Sequence, residues 1–148
     1  MEQINKSNKD TSKVLATRFW TEIWNAPFNL DALEELITDD YKLTADGKDI
    51  EGREIFKKWI IGMQTQIGDL KIVPQEMLVT DDGARVITRM IGTGYNKGMF
   101  GTKPDGAPVE LHLISILEIE NGKISRNWVE RSSHELYLRL SNNTKGNF

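Results

Sequence analysis

A chain of 148 residues without a single cysteine is the size of one domain and cannot draw on disulfides, thiolate catalysis or cysteine-bound zinc. Lys and Arg number 19 against 22 Asp and Glu, a net charge of −3 that favours solubility and leaves no basic patch for nucleic acid. The polar start, Met1 to Asp10, has no signal-peptide core, and no apolar run nears the ~20 residues of a membrane span, so a cytoplasmic protein is expected.

Residues 1–9 read as a flexible tail. Asp10, Thr11 and Ser12 offer side-chain oxygens to cap a helix over 11–25. In it Leu15, Phe19 and Ile23 recur every fourth residue beside Trp20 and Trp24, and Pro27 ends it. Asn29 can cap a short second helix, with Leu30, Leu33, Leu36 and Ile37 on its buried side and Asp39-Asp40 as its exit. Tyr41 to Thr44 suits a short strand, followed by an Asp46-Gly47 turn. Gly52-Arg53-Glu54 opens a third helix, in which Ile55, Phe56, Trp59, Ile60, Met63 and Ile67 keep the helical period.

From there the sequence turns to strands. These are expected over 70–79, with Pro74 marking a bulge or an edge, and over 85–95, with Gly92 and Gly94 marking a bend. Two more are expected over 109–119 and 123–131, joined by a tight Glu120-Asn121-Gly122 turn. A Gly/Pro-rich loop spans 97–107, a short helix lies near 135–140, and residues 141–148 read as a flexible end. Three helices followed by a meander of strands define an α+β fold in one domain, 1–148, because neither layer can cover its own apolar face alone.

Several strings occur in a fixed order: Phe19 with Trp24-Asn25 and Asp31-x-Leu33; Glu51-Gly52-Arg53-Glu54; Phe100-Gly101-x-x-Pro104-x-Gly106; and Ile116-x-x-Ile119-Glu120-x-Gly122-Lys123-Ile124-x-x-x-Trp128. Over about residues 12–132 this order resembles the SnoaL-like polyketide (ester) cyclases of the nuclear-transport-factor-like superfamily. The resemblance implies a cone-shaped barrel, with three N-terminal helices packed on a strongly curved, mostly antiparallel sheet around a deep apolar pocket. It also implies a homodimer or tetramer packed through the sheet. Characterised cyclases of this kind use no cofactor and close a ring by intramolecular aldol chemistry, with a carboxylate and a histidine on the last two long strands.

His112 matches the position of that histidine, and imidazole exchanges protons near neutrality. Strand parity argues differently: Val109, Leu111, Leu113, Leu117 and Ile119 form the apolar face, which puts His112 with Glu110 on the other. Where the family pattern has an acid two residues before the strand tryptophan, this chain has Arg126, which cannot serve as a base but can polarise a carbonyl. Asn96 stands where relatives often carry a second histidine, and His134 follows the last strand.

The candidate set is therefore His112 and Arg126 for chemistry, with Trp20, Trp24, Tyr41, Trp59, Glu110 and Trp128 as pocket residues. No metal-ligand spacing occurs, and no cofactor is expected. The expected partner is a small hydrophobic, carbonyl-bearing molecule, not nucleic acid or membrane. Three readings stay open: a cofactor-free cyclase, isomerase or lyase working by proton transfer; a binding or carrier domain without catalysis; and an oligomerisation module with a filled pocket.

Overall fold

The computed structural model describes residues 2–141, with side chains from Asn8 onward. The expected tail at 141–148 lies, but for Ser141, outside the described residues. Helix α1 spans Glu2–Arg18 and runs on into one π-helical turn, Phe19–Ile23. The Asp10–Ser12 cap does not form, because the helix passes straight through it. Ser12 is buried there, and its hydroxyl donates to the Gly83 carbonyl at 2.6 Å.

After a short 3-10 turn, Leu30–Ala32, helix α2 covers only Leu33–Leu36. Strand β1, Ile37–Ala45, begins at once and absorbs Asp39-Asp40, the expected helix exit. Asp39 pairs instead with Arg53 at 2.6 Å. The Asp46-Gly47 turn joins β1 to a short strand absent from the sequence reading, β2, Lys48–Glu51. Helix α3, Arg53–Gln66, buries Phe56, Ile60 and Met63, the face its apolar period marks out.

Four strands follow: β3, Ile67–Val79; β4, Arg85–Asn96; β5, Pro108–Glu120; and β6, Lys123–Arg131. Helix α4, Ser133–Ser141, closes the fold. Together the strands form one six-stranded sheet, order β2-β1-β6-β5-β4-β3. Every neighbouring pair is antiparallel except β1 with β6. The sheet curls into an open cone with the helices across its mouth. Bulges at Gly68/Lys71 and Pro74/Glu76 bend β3.

Gly94 is closely approached by the neighbouring strand β3. A Cβ there would sit 2.6 Å from the Gly68 carbonyl oxygen of the facing strand. The mostly aliphatic core holds an aromatic cluster: Phe56 lies 4.7 Å from Tyr41 and 6.1 Å from Phe19, ring centre to ring centre. No described helix is long and apolar enough to cross a membrane.

Candidate functional site

The concave face of the sheet and the helices above it enclose a narrow cleft, with about 30 Å3 open to the centre of a water-sized sphere. Trp20 and Trp24 come from the π turn and its exit, and Trp59 and Met63 from α3. Ile67, Leu70 and Ile72 of β3, Leu111 and Leu113 of β5, and Asn127, Val129 and Arg131 of β6 complete most of the wall.

Asn25 fixes the tryptophan side. Its amide donates to the Trp20 carbonyl at 2.9 Å and to the Ile72 carbonyl at 3.0 Å, and its oxygen accepts from the Ile72 N–H at 2.9 Å. One side chain thus bonds the edge strand as a neighbouring strand would, and ties the π turn to the cleft wall.

Deeper in, Asn127 anchors a buried polar chain. The Ser115 hydroxyl donates to Asn127 Oδ1 at 2.7 Å, and Asn127 Nδ2 donates to the Tyr41 hydroxyl at 3.1 Å. Tyr41 is fully buried, and burial raises its pKa well above the ordinary phenol range. It stands behind the cleft wall and does not form part of it.

At one end Arg131 donates through Nε and Nη2 to Asp46 Oδ2, and Ser133 donates to Asp46 Oδ1 at 2.9 Å. Burial works to raise the Asp46 pKa, but the hydrogen bonds and charge of Arg131, with the Ser133 hydroxyl, outweigh it and hold the carboxyl below its usual range. Among the described residues no group of three or more His, Asp or Glu is placed to hold a metal.

The structure separates the sequence-derived site residues into two sets. Trp20, Trp24 and Trp59 wall the cleft. His112, Glu110, Arg126 and Trp128 project from the outer face of the sheet, which corrects their expected place in the pocket. On β5 the inward residues are Val109, Leu111, Leu113, Ser115 and Leu117, as strand parity requires. The His112 side chain is 63% exposed, with Nε2 at 3.4 Å from Glu110 Oε2.

On β6 the cause is a bulge. Glu118 pairs with Arg126 and Ile119 with Ile124, which leaves Ser125 as an extra residue. The strand changes face there: Ile124 is buried, then Asn127 and Val129, with Arg126 and Trp128 turned outward. Arg126 donates to the Lys42 carbonyl and the Thr44 hydroxyl, and its guanidinium lies 4.4 Å from the Trp128 ring centre. Asn96 is buried and ties the 97–107 loop, accepting from the Gly98 and Met99 N–H groups and donating to Thr102 and Lys103. His134 is exposed on α4.

The curled six-stranded sheet with its helices and the apolar cleft between them define an α+β cone fold. The SnoaL-like polyketide cyclase family model matches residues 14–136, and the chain belongs to that family. Among curated proteins none matches the sequence. Solved structures show the same fold. A Jannaschia sp. CCS1 protein described as SnoaL-like superposes with TM-score 0.83 at 18% identity, over 90% of this chain and 94% of that one. TsrD from Streptomyces laurentii gives 0.76 at 20% identity, over 90% and 96%. A phenazine biosynthesis-related protein from Pseudomonas aeruginosa gives 0.76 at 18%, over 91% and 83%.

Proposed function

We propose that this protein binds a flat, apolar, carbonyl-bearing molecule in the tryptophan-walled cleft, and that binding rather than proton transfer is its function. One observation carries this reading: no side chain in the cleft wall exchanges a proton near neutrality. The polar members are Asn127, Arg131 and the indoles, while Asp46 beyond them is held as a carboxylate by Arg131. The cyclase, isomerase or lyase reading needs an acid/base group, and His112 stands on the opposite face of the sheet from the cleft.

The test is a thermal-shift and tryptophan-fluorescence titration with aromatic ketones, each also assayed for conversion. A ligand of the native state raises the midpoint by about 2.7 kcal/mol of stabilisation at a hundredfold excess over Kd. Binding without conversion, unchanged in His112→Ala and weakened in Gly92→Val, which narrows the cleft, supports the reading. Conversion that disappears in His112→Ala overturns it in favour of an enzyme.

We further propose that the outer sheet face packs against a second copy of the chain. Ile114 is 51% exposed there and Val73 51%, beside half-buried Ile87, Ile91, Ile116 and Trp128. Arg85–Glu118 and Arg89–Glu76 ion pairs lie around them, a mixed-charge pattern that suits an isologous contact. Ile114→Lys shifts the protein to monomer in sedimentation if this is right and leaves its mass unchanged if it is not.

A further inference from the structure

We propose that Trp59 is the gate of the cleft, its ring turning outward to admit an occupant and so setting the size of what enters. This rests on the cleft being the binding site. With the ring where it stands, about 30 Å3 is open to the centre of a water-sized sphere. One water needs roughly 10–15 Å3 by that measure, so the cleft seats about two waters and no fused-ring molecule. Part of the wall has to move. Among the described residues that line the cleft, all are buried but Trp59 and Arg131. Arg131 is pinned through Nε and Nη2 to Asp46. Trp20 and Trp24 are 1% and 6% exposed, and the wall residues of the sheet are carried on paired strands. Trp59 reaches solvent, and no hydrogen bond holds its side chain.

The neighbours of Trp59 on α3 show where the ring can go. It now stacks on Phe56, three residues back, with ring centres 6.2 Å apart at 20°, and stands at 76° to Trp24, 5.9 Å away. In a helix an aromatic side chain has two favoured χ1 settings, both lying over the preceding turn, toward residue i−3 or i−4. Four residues back is Ile55, which is 54% exposed. At 3.6 residues per turn, Ile55 and Gly62 lie on one flank of Trp59 and Phe56 on the other. The Gly62 flank is roomy: a Cβ on that glycine would meet no atom within 4 Å. An outward turn therefore exchanges one apolar surface for another, covering Ile55 as it uncovers the cleft, and α3 itself need not move.

The probes are two flat ketones, indanone with two fused rings and fluorenone with three. In wild-type protein, proton–proton Overhauser contacts report the Trp59 ring directly. Adding indanone should replace its contacts with Phe56 by contacts with the Ile55 methyl groups. Wild type should bind indanone about tenfold tighter than fluorenone, and Trp59→Leu, which removes the gate, should bring the two within about threefold and speed indanone association several-fold. A Trp59 ring that keeps its Phe56 contacts with indanone bound overturns the inference and leaves the cleft reading standing, and so does a size preference unchanged in Trp59→Leu. Failure of indanone to bind both wild type and Trp59→Leu overturns the cleft reading and this inference with it. The ring contacts are read on wild-type protein, so the outcome does not depend on the variant folding.

Discussion

Arg131, the last inward residue of β6, grips Asp46, the turn residue that ends β1, and so pins two ends of a parallel strand pair across the mouth of the cleft. The Arg131 side chain is only 9% exposed, and Asp46 is the carboxylate that pairs with its buried charge.

Asp46→Asn therefore lowers stability at pH 7, by about 1–3 kcal/mol for a buried partner left unmatched. The sign with pH follows from the lowered Asp46 pKa. A depressed carboxyl stabilises the fold above its unfolded value, about 3.9, and loses that contribution as pH falls through the lower folded value. Melting of both proteins from pH 7 to pH 3 should show the gap between wild type and variant closing below about pH 4.

Tyr41→Phe breaks the buried chain from Ser115 through Asn127. The Asn127 amide then keeps a donor with no acceptor, which costs about 1–3 kcal/mol with little change in packed volume. Urea unfolding checks this as a lower midpoint with an unchanged slope.

The two strand glycines of β4 should respond differently to one methyl group. In Gly94→Ala the new carbon meets the Gly68 backbone oxygen at 2.6 Å, so a strand must move and the cost is about 1–3 kcal/mol. In Gly92→Ala the nearest atom is 3.6 Å away and the methyl enters the cleft wall. It changes stability by less than about 1 kcal/mol but weakens ligand binding. Thermal melts with and without indanone separate the two.

His112→Ala should be nearly silent. The side chain is exposed on the outer face and pairs only loosely with Glu110, so stability changes by less than about 0.5 kcal/mol. Its affinity for indanone should equal that of the wild type.

Much of the fold was readable from periodicity. The α3 stripe from Phe56 to Met63, the parity of β5 and the turn at Glu120–Gly122 all stand in the sequence as written. The missed pieces depend on partners far along the chain. Strand β1 runs from Ile37 because β6 is there to pair with it, and β2 exists because β1 offers an edge. The cleft tryptophans were visible as a helical stripe. Asn127 and Arg131 were not, because a single extra residue at Ser125 reverses the face of β6 and no local pattern announces it. Once the bulge is known, Asn127, Val129 and Arg131 fall on one side by simple alternation.

The parallel pairing of β1 with β6 also bears on how the chain assembles. Arg126 reaches the Lys42 carbonyl across 84 residues, and the first long strand has no other partner but the four-residue β2. On the ribosome, the antiparallel meander β3–β4–β5 can zip as it emerges, while the N-terminal third waits for β6. By that order the tryptophans beside the first helix and the far wall of their cleft should be joined last, and the cleft completed only in the final closure of the sheet. Stopped-flow refolding followed by tryptophan fluorescence should report a late phase that a ligand added at the start does not accelerate.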